Sequence, residues 1–188
     1  MSQPERQHPL QARVATAIVD AAASALAQRG EQASMSDVAA AAGVARATVY
    51  RYFPTRQALL DELARRAVTD ADERLAAARI DEVAPEEALA RAVRAFVEVG
   101  DPFLVVARER VRPEPAQFER RLAQPVRALV ERAQAAGVLR DDIPSSWLTE
   151  ALFALVVGAV AAQPPRGRED TIGAITSLFL DGARPGSG

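Results

Sequence analysis

At 188 residues the chain can hold a small head and a larger second domain around a sizeable core. Its net charge of −2 excludes a protein that is basic all over. The complete lack of cysteine excludes disulfide frameworks and thiolate metal sites.

Charge is nonetheless uneven: residues 1–66 carry eight arginines against six acids, and the remainder fifteen against nineteen. Any positive field therefore belongs to the N-terminal part. No apolar segment of the secretory kind opens the chain, and the longest apolar run, Ala151 to Ala162, is too short to span a bilayer. A soluble, cytoplasmic protein is expected.

Residues 1–10, with Pro4, Pro9 and the only histidine, His8, read as a flexible tail. From Val14 the apolar spacing Val14, Ile18, Ala21, Ala22, Ala25 predicts a helix that Gly30 stops. Ser34 and Asp37 are spaced as a capping box, so a second helix begins near Met35. It ends at Gly43, the residue type that turns left-handed without a Cβ penalty. A third helix follows within three or four residues. Val38, Ala39, Val44, Val49 and Phe53 are placed to form the apolar knot of a helix-turn-helix. Burying them leaves Arg46, Ala47, Thr48, Tyr50, Arg51 and Tyr52 on the outer face, with Ser36, Thr55 and Arg56 as flanking candidates. These types suit DNA: arginine reads guanine edges or phosphate, alanine meets a thymine methyl, and hydroxyls bond phosphate. Both tyrosines of the chain fall in this one short helix. A purely solvated face would not need them.

Over residues 14–63 the sequence resembles the TetR family of transcriptional regulators. VATAIVDAAASALAQRG is similar to that family's first helix, and YRYFPTRQALLDEL to the junction of its recognition helix with its long fourth helix. Read helix by helix, with no strand pair along the chain, the sequence predicts an all-α fold of about nine helices. It would comprise the tail (1–10), a three-helix DNA-binding domain (11–54) and a ligand-binding and dimerisation domain (55–188). Three positions depart from the family pattern. Ala45 stands where a serine N-cap is usual, which typically costs about 1 kcal/mol. Tyr52 replaces a frequent histidine and Arg56 a frequent lysine, though both can still bond a phosphate. The latter accords with a chain that contains no lysine.

Past the head, Thr55 is placed to cap a long helix in which Leu59, Leu60, Leu63, Ala67 and Val68 recur at helical spacing to about Arg79. Pro85, Glu86 and Glu87 suit a first turn, and Leu89, Val93, Phe96 and Val97 form that helix's buried stripe up to Gly100. Asp101 and Pro102 open a short helix, FLVVARERV, with Pro113 and Pro115 as its terminators. A long helix from about Ala116 to Ala136 should be kinked by Pro125. The last two helices run from about Ser146 to Ala162 and from about Arg168 to Gly182.

The penultimate helix, with ALFALVVGAVAA, is apolar nearly all round and must be covered on more than one side. Ala154, Gly158 and Ala162 recur every four residues, a strip along which another helix can come close. Simple internal packing would also use such a strip. The family resemblance instead implies a homodimer through the last two helices, with Ile175 and Phe179 as further interface candidates. Two recognition helices about 34–36 Å apart would then demand a palindromic operator. The resemblance also implies a small-molecule pocket in the body, for which Phe96, Phe103, Leu104, Arg108, Phe118, Leu122, Trp147 and Phe153 are the candidates. One arginine of the run Arg108, Glu109, Arg110, Arg112 could anchor a ligand, although solvated charge runs are common.

No cofactor or metal site is read from the chain. It has no HExxH, no phosphate-cradling glycine loop, and no His or Cys in a nucleophilic setting, so catalysis is not expected. The reading is a DNA-binding transcriptional regulator, a repressor released by an effector. The alternative is an all-α protein-interaction module without specific DNA binding.

Overall fold

The computed structural model describes residues 7–162 and 167–185, which are helical with no strand among them. Helix α1 (Gln7–Arg29) starts earlier than its apolar spacing predicts. Pro9 falls in its first turn, where a missing N–H has no helical partner to lose. The remainder of the expected tail, residues 1–6, lies outside the described residues.

A 3₁₀ turn, Gly30–Gln32, leads to α2 (Met35–Ala41), and α3 (Arg46–Tyr52) follows the turn at Gly43. The Thr55 hydroxyl accepts from the Ala58 amide at 3.0 Å and so starts α4 (Arg56–Ala77). Left-handed Arg79, with φ 49°, ends the run slightly before the predicted limit. A short 3₁₀ turn and α5 (Pro85–Val97) come next. Helix α6 (Asp101–Arg108) is shorter than the sequence suggests. The prolines do not stop it. Arg110 turns left-handed at φ 54°, and the Val111 amide donates back to the Val106 carbonyl at 3.1 Å, closing the helix end in the manner usual for glycine.

Helix α7 (Pro115–Phe118) passes through a π-helical segment, Glu119–Ala123, into α8 (Gln124–Ala135) as one rod. This is the form the predicted disturbance at Pro125 takes. A proline there can neither bond the carbonyl four residues back nor avoid it. The Gln124 amide just ahead donates to Glu119, five residues back, and the widened turn accommodates the break. Helices α9 (Ser145–Ala161) and α10 (Arg168–Ala183) complete the body. With α7–α8 counted as one rod, the described residues hold nine helices.

Two buried clusters form, and two helices belong to both. Ile18 and Leu26 of α1, Val38 of α2, Val49 of α3 and Leu59 and Leu63 of α4 make the head core, joined by Val105 of α6. The body core takes Ala64 to Leu75 from α4 and Val106 from α6, and adds α5, α8, α9 and α10. Consecutive residues on a helix point about 100° apart. Thus Val105 and Val106 enter different cores.

Leu148, Leu152 and Val156 seat α9 on the body, whereas Ala154, Gly158 and Ala162 lie on its exposed side. The expectation for α10 needs correction. Ile175 and Phe179, assigned to an interface between chains, are 1% and 4% exposed inside the body core. Their spacing marked an apolar stripe, and that stripe faces the chain's own α5 and α9. The outer side of α10 instead presents Leu178, 65% exposed.

Candidate DNA-reading surface and body cavity

The helix-turn-helix is built as its sequence dictates. The Asp37 amide donates to Ser34 Oγ at 3.2 Å, and the Ser34 amide donates to Asp37 Oδ2 at 2.8 Å, completing the capping box. Ser34 Oγ also donates to Asp37 Oδ2 at 2.6 Å, and Arg29 pairs with the same carboxylate. The hydroxyl and amide of Ser34, followed by the Arg29 charge, hold the Asp37 carboxyl below its usual range. Gly43 turns at φ 65°, and the Val44 amide donates to the Ala39 carbonyl at 3.0 Å. Val38, Ala39, Val49 and Phe53 are buried, and half-buried Val44 packs against them.

Helix α3 begins without a side-chain cap: Ala45 offers only its carbonyl, to Thr48 and Val49. Its outer face carries no acid. Arg46, Ala47, Tyr50 and Arg51 are exposed, and Thr48 and Tyr52 half-buried. Each arginine leans on a tyrosine. Arg46 Nη2 donates to Tyr50 Oη at 3.3 Å, with its guanidinium 5.3 Å from that ring centre. Arg51 sits 5.2 Å from the Tyr52 ring. Such contacts restrict the arginine rotamers before any ligand arrives. Ser36 is exposed on α2, and exposed Thr55 keeps its hydroxyl proton to donate while its oxygen caps α4.

Arg56 does not share that outer face. Its guanidinium donates to the Ala33 carbonyl at 2.5 Å and to Glu109 Oε1 at 2.7 Å. Glu109 is only 13% exposed, so the pair ties the start of α4 to the end of α6 in a half-shielded seam. Position in the family motif suggested a phosphate contact. A half-buried carboxylate across the seam draws the side chain inward instead.

In the body, α4, α5, α6, the 110–113 connection, α7–α8 and α9 enclose a cavity of about 320 Å³. Phe96, Phe103, Phe118, Leu122 and Phe153 line it, as expected from sequence. Phe153 lies centrally, with ring centres 5.3 Å from Phe96 and 5.0 Å from Phe118, both tilted. Three candidates do not reach it. Leu104 and Arg108 border a separate surface groove with Val97 and Thr171, and Arg108 Nη1 donates to the Ala27 carbonyl of the head at 3.1 Å. Trp147 is 64% exposed at the start of α9. The sequence reading did not assign Ala67, Val68, Ala71, Val106, Ala107, Val111, Pro113 and Val157 to a pocket. Ala67 and Ala71, four residues apart on α4, were the visible clue, since small side chains leave the room that the phenylalanines surround.

The family model for bacterial regulatory proteins of the tetR family matches residues 18–63. The HTH-type transcriptional repressor LfrR of Mycolicibacterium smegmatis is 33% identical over 191 residues, covering 97% of this chain and 96% of its own. The HTH-type transcriptional regulator NfxB of Pseudomonas aeruginosa is 30% identical over 176 residues, covering 88% and 92%. The crystal structure of LfrR from Mycobacterium smegmatis in complex with proflavine superposes with a TM-score of 0.74 at 30% identity, over 90% of this chain and 96% of that one. The likeness runs through head and body alike, and with the helix-turn-helix geometry it establishes that the chain belongs to the TetR family, as a sequence-specific DNA-binding transcriptional regulator.

Proposed function

We propose that the protein is a cytoplasmic repressor that binds a palindromic operator as a homodimer and releases it when a small molecule fills the body cavity. The observation that carries this reading is the shared use of α4 and α6. Both helices wall the cavity, and both also enter the core of the DNA-reading head. A ligand that favours one setting of these helices changes the head position, and a differential affinity of about 1–3 kcal/mol suffices for typical coupling. LfrR, similar along its whole length, is named a repressor and has been crystallised with proflavine. The domain division follows the same logic, with 11–54 reading DNA and 55–188 binding ligand and partner, although Leu59 and Leu63 reach back to complete the head.

On the DNA side Arg46, Ala47, Thr48 and Tyr50 would face base edges, while Ser36, Arg51, Tyr52 and Thr55 would hold phosphates. For the dimer, Ala154, Gly158 and Ala162 of α9 would meet the same strip of a second copy, with Leu178 of α10 beside them. Footprinting on DNA flanking the protein's own gene tests the whole reading. A protected palindrome is expected. No protected site, with binding absent or insensitive to salt, would favour a protein-interaction module. Arg46→Ala should relax discrimination at particular base pairs by about 1–3 kcal/mol; equal weakening on operator and random DNA would remove its base-reading role.

A further inference from the structure

We propose that the body cavity selects an apolar monoanion, a single carboxylate carried on a hydrocarbon body, and discriminates against cations. The proposal rests on the cavity being the effector site and names the chemistry of its occupant. Of the fourteen residues lining the cavity, thirteen are apolar and one, Arg110, is charged. No carboxylate lines the space, so a buried cation would find no countercharge there, and burying an unpaired charge is strongly unfavourable.

Nearby acids are already engaged. Glu109 accepts from Arg56 at 2.7 Å, and Asp72 from Arg121 at 3.1 Å. Glu114 accepts from the amides of Ala116 and Gln117 at 2.9 Å and 2.6 Å, bonds that hold its carboxyl below the usual range. Arg110, by contrast, makes no hydrogen bond or ion pair with the described residues. It occupies the left-handed position that closes α6, where glycine is the usual residue and a side chain is held under strain. That turn brings Val111 and Pro113 into the lining together with Arg110, an exposed residue that is the single charged one bordering the cavity. Hydrocarbon would lie among Phe96, Phe118 and Phe153, and the carboxylate would meet Arg110 in a charge-assisted pair. A ligand of this class differs in sign from proflavine, a cationic dye at neutral pH. The likeness to LfrR therefore does not extend to its ligand.

The test is calorimetric titration of the full chain with decanoate, decanol and decylamine, matched in body and different in charge, each below its micelle concentration, and with proflavine. Decanoate should bind about tenfold or more tighter than decanol, as a charge-assisted bond allows, and decylamine and proflavine weaker than decanol. Arg110→Gln should cut decanoate affinity about tenfold without changing decanol, and Arg110→Glu should reverse the preference toward decylamine. Equal or tighter binding of decylamine or proflavine, or an unchanged ratio of decanoate to decanol in Arg110→Gln, would overturn the charge selection while leaving the cavity intact. The cavity itself is read by decanol alone. Ala71→Leu, checked for an unaltered helical spectrum, should abolish decanol binding. Persistence of that binding, or failure of every probe to bind the unaltered protein, would overturn the effector site and the proposal with it.

Discussion

Two helix starts in the head are built differently, and the difference sits in single residues. At Ser34 the hydroxyl, two amides and a carboxylate close on one another, with the Arg29 charge beside them. Because the Asp37 carboxyl is held low in the folded head, its contribution is present at neutral pH and lost as pH falls through that lowered value. At Ala45 no side chain serves the first amides of α3. Ala45→Ser should therefore stabilise the free protein by about 1 kcal/mol. It should also slow amide exchange at Arg46 to Val49, measured without DNA. Unchanged exchange there would mean that packing through Val49, not the cap, holds the helix start. The missing cap was readable from sequence, because an N-cap depends on a local residue type. The fate of Arg56 was not, since Glu109 stands 53 positions away.

Among elements, the helices and their punctuation were largely legible because periodicity and caps are local properties. Pro125 announced a break, but the choice of a π turn at 119–123 depends on how the rod packs as a whole. Similarly, FLVVARERV held no glycine to mark its end, and a left-handed arginine supplied one. The seam between α4 and α6 was hidden for the same reason. If Arg56 acts there and not on phosphate, Arg56→Ala should leave the salt slope of operator binding unchanged, whereas losing a phosphate contact would flatten it by about one unit. It should also leave Glu109 half-buried without its partner and lower the midpoint of thermal unfolding. A flattened slope at an unaltered midpoint would return Arg56 to the DNA face. Pocket legibility divides along the same line. Five phenylalanine and leucine positions were found by residue type, whereas Leu104, of the same type, and the other candidates Arg108 and Trp147 lie on other faces.

For the whole molecule, the exposed strip of α9 is the feature to which the proposed second copy is assigned. Gly158 has open space around the position of an added Cβ, so Gly158→Leu should be tolerated by the single chain. It should split the proposed dimer and abolish operator binding while helical content stays intact, as checked by sedimentation and circular dichroism. A full-strength dimer in that variant would remove α9 from the interface. The sequence could mark α9 as apolar on both sides, yet could not tell which apolar residues of α10 face inward, and Ile175 and Phe179 were misplaced accordingly.

The neighbouring valines of α6, one in each core, carry a consequence for how the chain can be divided. Cutting at residue 54 would strip the head core of Leu59, Leu63 and Val105 together and leave α1, which packs against α4 and α6, with a bare apolar flank. Ligand chemistry in the body and base contacts in the head use different residues, but the helices that support them are shared. Helices α4 and α6 each serve both cores, so the head core is incomplete without elements that also build the body.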